Sequence, residues 1–247
     1  MRLQNKVACI TGGASGIGKS IALLFASEGA DIIITYNHHK EEAENLEKEI
    51  KNLGRKYLAI FYDATKDNFE DGVGEIKKKF QKVDILVNNA GIIIPKKFEE
   101  LNQDIWEKTL QVNLTGVYNC TKAITPFMIT QKYGKIINIS SIGGIVGSII
   151  SLPYAVSKAG IDAMTKNLAK ELAKYNITTN SIAPGPVKTD FLKDYSDEIL
   201  KKLEQETPLG RIAEANDIAK VALFFASSDS DFVNGQTLIV DGGRIVK

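Results

Sequence analysis

Cysteine, histidine and tryptophan are scarce in this chain of 247 residues: two, two and one. Cys9 and Cys120 alone cannot build the disulfide framework of a small secreted scaffold. The histidines, His38 and His39, are adjacent, and no Cys/His cluster has metal-ligand spacing, so no metal site is expected. An excess of charge is missing too: 31 Lys and Arg stand against 30 Asp and Glu, a net charge of +1. A chain that coats nucleic acid or anionic lipid needs a clear basic excess, so neither partner is expected. The first apolar stretch, Val7–Ile10, is too short for the core of a signal peptide, and the expectation is a soluble, cytoplasmic protein. Residues 136–157 carry no charge and are long enough on paper to span a bilayer. They include Asn138, Ser140, Ser141, Ser148, Ser151, Pro153 and three glycines, too polar and too broken for lipid contact. A segment lining a cavity is expected there, and no membrane span.

The chain does contain short apolar runs alternating with helical spacings. Val7–Ile10 reads as a buried strand ending in glycine, followed by a helix over 17–27 with Ile21, Leu24 and Phe25 on one side. Strands are expected at 31–36, 57–62, 83–88, 135–140, 178–183 and 237–240. Helices are expected at 41–53, 69–80, 104–130, 154–175, 196–206 and 215–227. The strand runs are continuously apolar rather than alternating, as in parallel strands covered on both faces. No linker, repeat or low-complexity tract interrupts the order. The reading is α/β: one domain over 1–247, a doubly wound parallel sheet with helices on both faces. Its ligands belong beyond the C-terminal strand ends. Cys9 and Cys120 fall in core elements and read as apolar fillers.

Two patterns carry chemistry. Between the first strand and helix lies Thr11-Gly12-Gly13-Ala14-Ser15-Gly16-Ile17-Gly18. Glycines here let a phosphate approach the backbone, and the helix start turns free N–H groups and the positive dipole end toward it. The spacing differs from the common dinucleotide fingerprint, and no Lys follows as in a phosphate-loop NTPase. The second pattern is Tyr154 and Lys158, four apart on one helix face. A phenol with a pKa of about 10 is a poor base near neutrality, and a nearby cation lowers it. Ser141 is placed to hydrogen-bond a substrate oxygen as charge develops there. Asn113 lies inside the long helix, where asparagine is disfavoured and needs a polar partner.

Together these residues resemble the short-chain dehydrogenase/reductase family, a Rossmann fold. The resemblance runs through TGGASGIG at 11–18, Asp63, NNAG at 88–91, Asn113, Ser141, Tyr154-x-x-x-Lys158, Pro184-Gly185-Pro186-Val187-x-Thr189 and Val240-Asp241-Gly242-Gly243. It implies NAD(P)-dependent hydride transfer between the nicotinamide and a carbonyl or alcohol carbon, with no metal at the chemistry. By that resemblance Tyr154 is the acid/base and Lys158 lowers its pKa and binds ribose. Ser141 positions the substrate oxygen, and Asn113 holds a water in a proton relay. Gly12, Gly16, Ile17 and Gly18 would hold the pyrophosphate side, and Asp63 and Ala64 the adenine. Asn89, Ala90 and Gly91 would meet the cofactor's middle. Pro184, Gly185, Val187 and Thr189 would lie by the nicotinamide. A homotetramer packed through the Tyr154–Lys158 helix is also implied.

An acid at the end of the second strand would favour NAD, but Tyr36 stands there. Neither of the positions where a base marks NADP, Asn37 and Ser15, is basic. The reading leans to NADP, with NAD as the alternative. His38, His39 and Lys40 either surround a phosphate or form a solvated turn. The substrate wall is expected from Ile142–Gly144, Ile149–Leu152, Gly185 and residues 190–206. Its apolar members, Ile149, Ile150, Leu152, Phe191 and Leu192, read equally as packing. A sugar or small-alcohol dehydrogenase is the first reading. The alternative is a 3-oxoacyl-ACP reductase, although Ile92-Ile93-Ile94-Pro95 replaces the Ile-Thr-Arg-Asp frequent in that subgroup. Lys132 and Lys174 are candidates to meet its acidic carrier. A dinucleotide-bound sensor without turnover is the reading from another class.

Overall fold

Every residue of β1 (Val7–Ile10) is buried, and successive side chains enter opposite cores. Val7 and Cys9 join one apolar cluster, Ala8 and Ile10 the other. That is how a continuously apolar run becomes a strand with both faces covered. A computed structural model describes residues 1–66, 69–193 and 195–245. Its elements follow β1 as α1 (Gly16–Ser27), β2 (Asp31–Tyr36), α2 (Lys40–Asn52), β3 (Tyr57–Phe61), α3 (Glu70–Lys79) and β4 (Ile85–Asn88). Then come α4 (Gln103–Leu110), α5 (Gly116–Gln131), β5 (Gly134–Ile139), α6 (Gly143–Val146) and α7 (Leu152–Leu172). The order ends with β6 (Ile177–Pro184), β7 (Val187–Lys188), α8 (Asp197–Gln205), β8 (Ala213–Glu214), α9 (Ala215–Ala226) and β9 (Thr237–Val240).

Seven strands form one parallel sheet in the order β3-β2-β1-β4-β5-β6-β9. The winding reverses between β1 and β4, which opens a crevice at their C-terminal ends. One face buries Ile21 and Phe25 of α1, Leu46 and Ile50 of α2, and Ile218 and Phe225 of α9. The other buries Ile76 of α3, Ile124 and Met128 of α5, and Leu172 of α7. Each such side chain contributes about 1.5–3 kcal/mol by leaving water. Cys9 and Cys120 are both buried, and burial pushes the Cys9 thiol far up. No helix among the described residues is long and apolar enough to cross a membrane. The uncharged stretch instead forms β5, α6 and the start of α7.

Three differences from the sequence reading have physical causes. The helix expected over 104–130 is two helices joined by a π-helical turn, Gln111–Thr115. Its central residue is Asn113, whose side chain bonds the backbone of Ile92 rather than its own helix. The fourth strand begins at Ile85 rather than 83. The Gln131 amide takes both backbone groups of Val83 and removes that residue from the ladder. Finally, β7 pairs with β8, tying the chain beyond β6 to the start of α9. Two-residue strands and the four-residue α6 leave no period to read.

Candidate active site

The glycine turn sits at the crevice and is held from two sides. Thr35 of β2 accepts from the Gly12 N–H at Oγ1 and from the Gly13 N–H at its carbonyl. From the β4 end, the Asn89 amide donates to the Thr11 and Gly12 carbonyls, both at 3.0 Å. Thr11 Oγ1 in turn accepts from the N–H groups of Asn89 and Ala90 at 2.9 and 3.0 Å. Gly16 has φ +51°, a left-handed conformation suited to glycine. A Cβ on Gly18 would lie 2.3 Å from the Gly12 carbonyl oxygen, so the turn and α1 touch backbone to backbone.

This turn fits a dinucleotide pyrophosphate. Ser15 stands at the α1 N-cap without a side-chain cap hydrogen bond, and the first turn holds no acidic residue. The helix-start N–H groups therefore remain available for an anion. A Cβ on Gly16 would be 3.4 Å from Thr189 Cγ2, which places the 184–189 segment against the turn. Pro184 pairs with Val240, and Gly185 packs on Asp241. Asp241 closes the C-terminal turn by accepting from the N–H groups of Gly243 and Ile245.

Tyr154, Lys158, Ser141 and Asn113 converge beside the crevice. Ser141 follows β5, and its Oγ accepts from the Gly143 N–H at 3.0 Å. Gly143 lies between Ser141 and the Tyr154 ring: its Cβ position is 3.4 Å from Ser141 Oγ and 3.7 Å from Tyr154 Cε1. Lys158 is 4% exposed, and its Nζ donates to the Ile139 carbonyl at 2.8 Å, 5.6 Å from the Tyr154 ring centre. Asn113 is fully buried: its Oδ1 accepts from Ile92 N–H and its Nδ2 donates to Ile92 O, both at 2.8 Å, with a further bond to Ser157 Oγ at 3.2 Å. A backbone bridge from Lys96 to Ser151 ties the loop after β4 to the start of α7.

Burial sets the electrostatics of this cluster. The Tyr154 phenol is raised above its ordinary pKa by burial, an effect that the neighbouring Ser141 hydroxyl opposes. Lys158 is not among the groups that shift the phenol. Burial also pushes Lys158 down to about 8, against the pull of Asp162. An ammonium 5.6 Å from the phenol ring centre is a weaker perturbant than one at contact distance from the hydroxyl.

The remaining predicted positions are more dispersed. Tyr36 ends β2 beside the turn, its ring edge-on to Phe61. Asn37, His38 and His39 are exposed, and His39 Nδ1 faces Glu42 at 3.4 Å. Asp63 spends its carboxylate on Thr65, which holds it below the usual carboxylate range. Ala64 is buried against Gly116, and its carbonyl accepts from Gln111 Nε2. Val187 is buried in β7. Of the apolar wall, Ile149 is fully exposed and Phe191 is 54% exposed, so neither is core packing. Residue 194 of that wall lies outside the described residues.

Sequence reasoning missed several supports. Asn88 links β4 to β5 and α5, donating to Asn138 Oδ1 at 2.8 Å and Thr121 Oγ1 at 3.0 Å. Asp162 lies one turn beyond Lys158 on α7, buried and bonded to Ser181 and Thr237. The signal for both was present: polar residues inside otherwise apolar, buried elements.

A seven-stranded parallel sheet with an anion-ready glycine turn and, at its switch point, half-buried Tyr154 and Ser141 beside buried Lys158 and Asn113 defines a dinucleotide-dependent oxidoreductase. The family model described as enoyl-(acyl carrier protein) reductase matches residues 12–244. The 3-oxoacyl-(acyl-carrier-protein) reductase of Thermotoga maritima is 40% identical over 247 residues, 100% of both chains. The crystal structure of a 3-oxoacyl-(acyl-carrier protein) reductase from Brucella melitensis superposes with a TM-score of 0.93 at 33% identity, covering 99% of this chain and 93% of that one. A structure from Agrobacterium tumefaciens described as a gluconate dehydrogenase gives 0.93 at 32%, covering 98% and 96%. The chain belongs to the short-chain dehydrogenase/reductase family and is an NAD(P)-dependent oxidoreductase acting on CH–OH and carbonyl groups.

Proposed function

We propose that this enzyme reduces the 3-oxo group of an acyl thioester delivered on acyl carrier protein, with NADPH slightly preferred over NADH. The observation that carries the reading is the full-length likeness to a reductase of that name, with the Tyr154 phenol protonated at neutral pH as a phenol with a pKa of about 10 is. A neutral phenol at neutral pH is an acid ready to donate, which is what carbonyl reduction requires. Full-length similarity to a reductase of that name supports the substrate class. The exposed apolar side chains of Ile149, Ile150 and Phe191 suit an acyl chain more than a polar sugar.

In this reading Ser141 and Tyr154 both hydrogen-bond the substrate oxygen. Bound NADPH supplies the hydride to the carbonyl carbon. Tyr154 gives its hydroxyl proton to the oxygen as charge develops there. Lys158 stabilises the resulting phenolate and holds the ribose, and Asn113 keeps the path by which the phenol is reprotonated. Gly12, Ser15, Gly16, Ile17 and Gly18 hold the pyrophosphate. Tyr36, Asn37, Asp63 and Ala64 border the adenosine end. Ala90, Gly91, Pro184, Gly185, Val187 and Thr189 border the rest, with Asn89 holding the turn. Lys132 and Lys174 do not serve the carrier within one chain. They precede β5 and β6, at the end of the sheet opposite Tyr154.

A homotetramer packed through α7 accompanies this reading. The outer face of α7 carries a groove of about 450 Å³ between Gly144, Ala159, Ala163 and Lys166, and light scattering on the purified protein tests it. A second substrate reading, a sugar or small-alcohol dehydrogenase, draws on the Agrobacterium structure and on Ile92-Ile93-Ile94-Pro95 after NNAG. Absorbance at 340 nm separates the two. NADPH consumed with a 3-oxoacyl thioester, and no turnover of aldoses with NAD or NADP, supports the first. The reverse pattern replaces it with the second.

A further inference from the structure

A buried ammonium is costly unless a counter-charge lies near it. The groups around Lys158 are largely neutral. From β5 comes the Ile139 carbonyl, at 2.8 Å from Nζ. From the loop after β4 comes Gly91, whose Cβ position is 3.6 Å from Nζ, and from the π-turn the Asn113 amide. From α6, Gly144 packs on the Lys158 backbone. On α7 itself stand the Tyr154 phenol one turn before, Asp162 one turn after, and the exposed Lys166 one turn beyond that. Asp162 is 9% exposed. Its Oδ1 accepts from Ser181 Oγ of β6 at 2.9 Å and from Thr237 Oγ1 of β9 at 3.2 Å. Two strands thus fix a carboxylate at helical spacing from the lysine.

We propose that Asp162 is a positioning residue for Lys158: its charge, clamped by Ser181 and Thr237, keeps the buried ammonium protonated and seated on the Ile139 carbonyl. The competing account is that Asp162 only satisfies two hydroxyls. Electrostatics support the first, since Asp162 opposes the burial that pushes Lys158 down to about 8. The inference rests on the role proposed above for Lys158 only where activity is the readout.

The test follows the Lys158 side chain directly, by NMR titration of labelled lysine in the whole protein, assigned with Lys158→Arg. Asp162→Asn keeps an oxygen for the two hydroxyls and removes the charge. The Lys158 midpoint is expected to fall by about 1 pH unit or more. Ser181→Ala and Thr237→Val keep the charge and are expected to leave the midpoint in place. An unmoved midpoint in Asp162→Asn overturns the proposal. So does an equal shift in Ser181→Ala, because the hydrogen bond would then be the cause. Where Asp162→Asn does not fold, Asp162→Ser gives the same reading. In parallel, the limb of the kcat pH profile belonging to Lys158 should move with the midpoint. A midpoint that moves while the profile stays put upholds Asp162 as the counter-charge and removes Lys158 from the proposed mechanism.

Discussion

Asn113 grips Ile92 with both ends of its amide, accepting from the N–H and donating to the carbonyl at 2.8 Å each. This pair resembles one rung of a strand ladder, made by a side chain. It explains the π-turn, which brings Asn113 inward where a regular helix would leave its amide without a partner. Asn113→Ala strips a partner from each backbone group of Ile92. Denaturant unfolding should show a loss of about 1–3 kcal/mol. Unchanged stability would mean that water replaces the amide without cost.

Tyr154→Phe removes the proposed acid and keeps the ring. Turnover should fall by about 10²–10⁴-fold. NADPH binding, followed by nucleotide fluorescence, should persist. A variant that turns over at the wild-type rate would remove Tyr154 from the acid/base role.

Lys158→Met should stabilise the nucleotide-free protein near pH 7. The folded chain holds Lys158 at about 8, below its ordinary 10.5, so the unfolded chain binds this proton more tightly. The penalty is fully present below pH 8 and fades as pH rises toward 10.5, where both states are neutral. Its upper bound is about 3 kcal/mol. Melting curves should show the variant above the wild type at pH 7 and the gap narrowing by pH 10. A gap that widens with pH contradicts this sign.

Gly18→Ala adds a Cβ 2.3 Å from the Gly12 carbonyl oxygen. Backbone meets backbone there, so the turn must open. A destabilisation of about 1–3 kcal/mol is expected. NADPH affinity should drop by at least about tenfold. Equal affinity in the variant would place the pyrophosphate elsewhere.

Tyr36→Asp restores an acid at the end of β2. The ratio of kcat/KM for NADPH over NADH should fall, because the carboxylate repels a 2′-phosphate and accepts from ribose hydroxyls. A ratio that does not move means that Tyr36 is not at the ribose.

Much of this architecture was readable in one dimension. β1 and β2 lie where their apolar runs stop, because Val, Ile and Thr buried on both faces leave a continuous run, and the half-exposed edge strand β9 also coincides with its apolar run. The glycine turn was readable because its conformation is set by residues adjacent in the chain. The Tyr154–Lys158 pair was readable because a helix places residues four apart on one face. The π-turn was not, since its stabilising partner, Ile92, lies 21 residues away. Nor was the restraint of the turn by Asn89, whose bond reaches Thr11 across 78 residues.

Local propensity and apolar periodicity were thus enough to identify a doubly wound sheet with a glycine turn after its first strand, while the cluster of Asn113, Ser141, Tyr154 and Lys158 was legible through the family resemblance. The ionisation of that cluster was decided by packing. Burial raises Tyr154 and lowers Lys158, while β6 and β9, distant in sequence, hold Asp162, whose charge opposes the Lys158 shift. Desolvation depends on what covers a group in three dimensions, and residue order does not record that cover.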